Sequence, residues 1–272
     1  MGKQYYCLVS GLKEYAFGAD NKDLDALAVK EEILGELHGR DQNAARLLYT
    51  WYDIQNIIAS RAGREGFNPL GNIPREEFDE GADRLFDQLP PQVSRVLGAF
   101  TFTEDTDYDD VSRIKTFENM LTESYFEACA ASKNGFLEKW SAFERDLRNF
   151  MAAILARRAD KQFYDIVVGE GEVAESLLKS NAPDFGLKGI TGFVEQLTSI
   201  LEQESNIVER ERKIDTLRLQ KAEELAQGHY FDIDALLGYI VRINILDRHA
   251  ALEVNKGRAV FEGITKNMHI KD

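Results

Sequence analysis

Apolar residues recur at three- and four-residue intervals along most of the chain, the period of a helix with one buried face. Leu47, Trp51, Ile54 and Ile58 fall at i, i+4, i+7 and i+11, predicting a strong helix over 42–62. Leu24, Leu27, Ala28, Ile33, Leu34 and Leu37 predict one over 24–37, with Asp23 as its cap. Further helices are expected over 74–89, 111–132, 135–159 (capped by Asn134) and 161–180. The segment 190–226 carries no proline and no glycine after Gly192, and Phe193, Ile200, Ile207 and Ile214 are spaced by seven. Its intermediate positions Glu204, Glu211 and Arg218 are charged, which a coiled-coil seam does not tolerate. The expectation is one long helix of roughly 50 Å, at 1.5 Å per residue, packed along one side of a bundle. Gly228 ends it, Asp232 caps a helix over 233–252, and a final helix covers 256–266.

Breakers fall between these segments. Residues 63–74 hold three glycines, two prolines and two asparagines and read as a loop. Pro74 suits a helix start, and Pro90-Pro91 stops that helix. Tyr5 to Val9 is too short for periodicity to choose between strand and helix. The fold class that follows is all-α.

Two of the predicted helices share a motif. Asp53-Ile54-Gln55-Asn56-Ile57-Ile58-Ala59 and Asp146-Leu147-Arg148-Asn149-Phe150-Met151-Ala152 both read Asp, apolar, any, Asn, apolar, apolar, Ala, 93 residues apart. Each is followed by arginine, Arg61 in the first and Arg157-Arg158 in the second, and preceded by a large apolar residue nine positions before the Asn, Leu47 or Trp140. A weaker third copy centres on Asn244, 95 residues beyond Asn149, with Arg248 after it and no Asp three residues earlier. Asparagine is a poor helix-interior residue, so a recurrent one implies a side-chain hydrogen bond to a neighbouring helix or backbone. Asp53, Asn56, Asp146, Asn149 and Asn244 are therefore candidates for structural roles between helices. Three copies imply three related units, 1–90, 91–185 and 186–272, within a single helical domain.

Composition narrows the function classes. The 272 residues contain 33 Lys+Arg against 47 Asp+Glu, a net charge of -14. Nucleic-acid binding needs a cationic surface, as does a polybasic membrane anchor, so both are disfavoured. The start lacks a signal peptide's apolar region, and no stretch approaches the ~20 apolar residues of a membrane span. Cys7 and Cys129 share no metal spacing and are expected to be buried, reduced thiols of a cytosolic protein.

No reactive constellation is legible. His38, His229, His249 and His269 form no zinc pattern. Phosphate-loop and nucleophile-elbow motifs are lacking, and Gly169-Glu170-Gly171 lacks the third glycine of a dinucleotide site. Asp105, Asp107 and Asp109 have the 1, 3, 5 spacing of a calcium loop. The sixth position is Asp110 where glycine is needed and the twelfth is Thr116 where a bidentate Glu is needed. The run 104–110 reads as a solvated loop or a docking surface for a basic partner. No catalytic residue, cofactor site or metal site is assigned.

The segment Glu209-Arg210-Glu211-Arg212-Lys213-Ile214-Asp215-Thr216-Leu217-Arg218, followed by Tyr230-Phe231-Asp232-Ile233-Asp234-Ala235-Leu236-Leu237-Gly238-Tyr239-Ile240, resembles the end of the C-type central-stalk subunit of V/A-type rotary ATPases, called d in eukaryotic V-ATPases. The Asp-x-x-Asn helices with trailing arginines are similar to that family's repeated helices, and Tyr5-Tyr6-Cys7-Leu8-Val9-Ser10-Gly11-Leu12 resembles a divergent bacterial branch found with V-type ATPase subunits. The resemblance implies a funnel-like, pseudo-threefold arrangement of helical bundles. It implies a non-catalytic socket of the central stalk, linking shaft subunits to the membrane c-ring and passing torque for proton or sodium transport. The protein would then be cytoplasmic, held at the inner face of the cell membrane through the c-ring. Arg61, Arg157 and Arg248 are the expected partner contacts, and an acidic cup would favour basic loops of shaft or ring. The residues alone also admit a helical adaptor unrelated to ATPases, using the 190–226 helix as its interaction face, and an enzyme with an unrecognised helical site.

Overall fold

The computed structural model describes residues 3–19, 21–79, 85–101 and 111–269. Its elements are α1 (Tyr6–Gly11), α2 (Ala26–Glu36), α3 (Gly39–Arg61), α4 (Arg75–Asp79), α5 (Pro91–Thr101), α6 (Val111–Ala131), α7 (Gly135–Arg158), α8 (Glu172–Lys179), α9 (Val194–Gln203), α10 (Ile207–Ala226) and α11 (Ile233–His269). Every regular element among the described residues is a helix and none is a strand, so the fold is all-α. The acidic run 104–110 lies outside the described residues.

The chain divides into two compact units. One comprises residues 30–198 and the other 1–29 with 199–272.

In the unit of residues 30–198, α6 packs against α3, α5 and α7, and α7 packs on α8. The core between α3, α5 and α6 contains Ile54, Ile57, Val93, Leu97, Phe117, Leu121 and Phe126, with Leu47, Trp51 and Ile58 against it. The face predicted for α3 is thus the face that packs. Burying a side chain such as Phe117 or Leu121 contributes about 1.5–3 kcal/mol relative to exposure. Asn134 caps α7 by accepting the Leu137 N–H at 2.8 Å. Pro91 opens α5, so the proline pair that ends one segment also starts a helix the sequence pattern had not supplied. The predicted helix over 161–180 shrinks to α8; residues 159–171 are a loop with positive φ at Asp160, Gly169 and Gly171.

In the unit built from the two chain ends, α10 packs against α11. The core includes Leu8, Ile214, Leu217, Leu236, Ile240, Ile243 and Leu246. The Tyr5 N–H donates to the Phe231 carbonyl at 2.6 Å, and the Tyr239 hydroxyl to the Lys13 carbonyl at 2.9 Å, fastening the first residues to α11 and the turn before it. The predicted 190–226 helix is two helices. Asn206 breaks it by capping α10, its Oδ1 accepting the Val208 and Glu209 N–H groups at 3.0 and 3.4 Å. The two predicted C-terminal helices are instead one, α11, which runs through Gly257 and Gly263. Asp25, not Asp23, caps α2, accepting from the Leu27 and Ala28 N–H groups at 3.0 Å; Asp23 is engaged by Lys13. Cys129 is buried as expected, and burial pushes its thiol up to about 12, whereas Cys7 is exposed.

Candidate functional site

The motif asparagines hold main chain. On α3, Asn56 Nδ2 donates to the Asn68 carbonyl at 3.0 Å, and Asn56 Oδ1 accepts the Asn68 N–H at 2.8 Å. One turn earlier, Asp53 accepts the Ile73 N–H and the Asn72 Nδ2, each at 3.0 Å. Between these anchors Gly71 passes so close that a Cβ there would overlap Asp53 Oδ1 and sit 3.3 Å from Asn56 Nδ2. Lys30 of α2 reaches in, donating to the Gly71 carbonyl with its Nζ 5.2 Å from the Tyr49 ring centroid. Burial raises the Asp53 carboxyl and lowers the Lys30 ammonium, the first partly offset by the Ile73 and Asn72 hydrogen bonds, the second by the Asp53 charge. Leu70 and Ile73 of the same loop fill the hydrophobic space beneath.

The second copy repeats the grip. On α7, Asn149 Nδ2 donates to the Val168 carbonyl at 2.8 Å, and its Oδ1 accepts the Val168 N–H at 3.0 Å. Here a glycine directly follows the held residue. Gly169 has φ +74°, and a Cβ there would press on the Arg145 stem at 2.7 Å. Its N–H donates to Glu123 of α6 at 3.2 Å. The aspartates differ. Asp146 does not reach its loop but takes Arg145 at 3.0 Å, and burial raises its carboxyl despite that charge.

Arg61 and Arg157 also turn inward. Arg61 donates to the Phe100 carbonyl at 2.8 Å and lies 4.4 Å from the Phe117 ring centroid. Arg157 donates to the Ala182 and Ser180 carbonyls at 2.6 and 3.2 Å and sits 3.6 Å over the Phe185 ring. Both arginines carry a downstream carbonyl on one side and phenylalanine on the other, a cation–π arrangement that fixes the guanidinium plane.

The third asparagine has a different setting. Asn244 lies half-buried on α11, and its Oδ1 is buried with no hydrogen-bond partner among the described residues. One turn on, Arg248 bonds Asp215 of α10, while 46% of its side chain remains exposed. Asp215 is fully buried; its Oδ1 also takes Arg218 at 3.1 Å, and its Oδ2 has no partner among the described residues.

Sequence reasoning found the two gripping asparagines and Asp53. It missed Lys30, Asn68, Gly71, Asn72 and Val168, because the held residue lies 12 or 19 positions downstream. The glycines and asparagines of the 63–74 loop were the only available signal. Among the described residues no group of three His, Cys, Asp or Glu is placed to hold a metal. No helix there is long and apolar enough to cross a membrane. At Asn56, Asn149, Arg61 and Arg157 the polar side chains are engaged with main-chain groups of the chain itself.

These features define a class: an all-helical protein whose recurrent asparagines fasten loops to long helices. The chain belongs to the family described as Protein of unknown function (DUF2764), whose model matches residues 1–271. No curated protein matches the chain.

Proposed function

We propose that the protein is a non-catalytic central-stalk subunit of a V/A-type rotary ATPase, a socket joining the shaft to the membrane c-ring for torque transmission. The observation that carries this reading is the shared main-chain grip of Asn56 and Asn149. It makes the Asp-x-x-Asn helices a structural repeat, and that repeat is half of the resemblance to the C-type central-stalk family. The other half is the stretch from Glu209 to Ile240, which forms α10 and the start of α11.

The chemistry is compatible with a mechanical role. A torque-bearing element needs stiff helices and loops that do not slip. Each grip satisfies two main-chain groups of one loop residue and ties that loop to a helix of 23 or 24 residues. The excess of acidic residues suits basic loops on shaft or ring. In this reading the units form a funnel-like, pseudo-threefold arrangement at the cytoplasmic face, and the protein reaches the membrane only through the ring.

Affinity purification of the tagged protein from detergent-solubilised membranes of its native host tests the proposal. Co-elution of shaft subunits and c-ring at constant ratio is the expected result. Clean recovery without any ATPase component rejects it in favour of an unrelated helical adaptor.

A further inference from the structure

We infer that the step from Asn134 to Gly135 is a site of covalent ageing that the fold of α7 holds closed, so that its conversion to Asp and isoaspartate records opening of the turn between α6 and α7. It is the only Asn–Gly pair in the chain. In such a pair the main-chain nitrogen of the glycine attacks the side-chain carbon Cγ of the asparagine, because glycine has no Cβ to hinder the approach. The N–Cγ bond forms, the Cγ–Nδ2 bond breaks, and Nδ2 leaves as ammonia with the proton of the Gly135 nitrogen. Water then opens the cyclic imide. Added at Cγ, it gives Asp and restores the ordinary peptide bond. Added at the main-chain carbonyl carbon, it gives isoaspartate, with the chain running through Cγ. Nothing is oxidised or reduced, and water is the only co-reactant. Gly135 is exposed, with nothing within 4 Å of the place a Cβ would take, so the attacking residue stands in open space.

The native turn keeps the reacting atoms apart. The ring closes only when the Cα–C bond of Asn134 is turned until the Gly135 nitrogen eclipses Cβ, and at ψ 123° that nitrogen is rotated well away from it. Turning the bond breaks the cap, in which Asn134 Oδ1 accepts the Leu137 N–H at 2.8 Å, and the first bond of the helix, in which the Asn134 carbonyl accepts the Glu138 N–H at 3.1 Å. It also drags Phe136 and Leu137, 2% and 0% exposed, out of the core. Lys133 works the other way: its φ of +60° lies in the left-handed region that side chains adopt at a cost, so opening relieves strain. The two products part at the helix. An Asp in place of Asn134 still accepts the Leu137 N–H, and its charge suits a helix N-terminus. Isoaspartate lengthens the main chain by one carbon and displaces the capping oxygen. The damage then falls on the helix whose Asn149 holds Val168.

Ageing of the full-length protein tests this. It is incubated in mildly alkaline buffer, one sample folded and one in denaturing urea, and conversion of every asparagine is followed by peptide mapping and mass spectrometry. In urea Asn134 is expected to react before the other asparagines. In the folded sample it is expected to react at least about tenfold more slowly. The slowing should match, within about tenfold, the hydrogen-exchange protection of the Leu137 amide, because one opening releases both the cap and the reacting bond. Gly135→Ala is a second variant that folds, since position 135 is open and its backbone is not left-handed. It should slow the reaction in urea at least about tenfold, by placing a methyl beside the attacking nitrogen. Four results would each overturn the gated site: another asparagine reacting first in urea, equal rates in the folded and urea samples, a slowing that departs from the Leu137 protection, or a Gly135→Ala rate equal to that of wild type.

Discussion

Asn56 and Asn149, 93 residues apart, each grip both main-chain groups of one downstream residue, Asn68 in one case and Val168 in the other, with all four hydrogen bonds between 2.8 and 3.0 Å. A carboxamide is the side chain suited to this task, because it carries a donor and an acceptor side by side, complementary to the C=O and N–H of one residue.

Replacing that carboxamide by leucine should be expensive. Asn149→Leu leaves the Val168 N–H and C=O buried without partners, at about 1–3 kcal/mol each. The expected loss is about 2–6 kcal/mol, read as a lower denaturant midpoint. Asn149→Asp retains the acceptor and loses the donor, so it should fall between leucine and wild type. A leucine variant as stable as wild type would refute the structural role.

Gly71 is required by space, not by its backbone angle. A methyl there overlaps the Asp53 carboxylate, which could move away only by giving up its Ile73 and Asn72 hydrogen bonds. Gly71→Ala is expected to destabilise by about 1–3 kcal/mol, the usual cost of overpacking. The control is Gly63→Ala, where nothing lies within 4 Å and only the positive φ of +62° opposes the change, at about 1–2 kcal/mol. Urea titration of both variants, together with the pair Gly71→Ala and Asp53→Ala, separates the causes: the alanine clash should shrink when the carboxylate is gone.

Asp215 should matter far more than the arginine that reaches it from solvent. Removing a partner from a buried pair leaves an uncompensated charge and costs about 3–5 kcal/mol. Asp215→Ala takes the buried carboxylate away from both Arg218, only 10% of whose side chain is exposed, and Arg248. Arg248→Ala removes a half-exposed partner, for which about 0–1 kcal/mol is expected. Melting curves of the two variants that coincide would contradict this ordering.

Asp247 predicts a pH dependence. Burial, with the Asp25 charge adding to it, raises this carboxyl above its ordinary 3.8. A raised acid binds its proton more tightly in the folded state, so its contribution falls as pH rises from 3.8 through the folded value. Asp247→Asn should accordingly stabilise the protein at neutral pH, and the gain should vanish below pH 3.8 where both states of the wild-type carboxyl are protonated. Thermal melts of both proteins from acid to neutral pH check the sign; a gain that persists unchanged into acid would exclude titration as its source.

The helices were legible where periodicity and capping agreed. The helical faces predicted over 42–62 and 135–159 are α3 and α7 to within a few residues, because long apolar stripes and the Asn134 cap point the same way. Periodicity failed at Asn206. Phe193, Ile200, Ile207 and Ile214 keep one register across a break that a single side chain makes by capping the main chain. It failed in the opposite sense at Gly257 and Gly263, where a weak local preference yields one continuous α11. Asp23 and Asp25 are equally good caps on paper; Lys13, distant in sequence, engages the first and leaves the second to the helix.

By itself the sequence determined the all-α class, since helical periodicity is a local property, and it marked Asn56, Asn149 and Asn244 as one set, since an asparagine inside a helix has to be justified by a partner. Only the tertiary structure decided what those partners are. Two asparagines hold loop residues 12 and 19 positions away, while the Oδ1 of the third has no hydrogen-bond partner among the described residues and the chain after it continues as helix. A hydrogen bond to a distant backbone depends on where the loop returns, and that is fixed by the packing of Leu70, Ile73 and Val168 in the core rather than by the residues that make the bond.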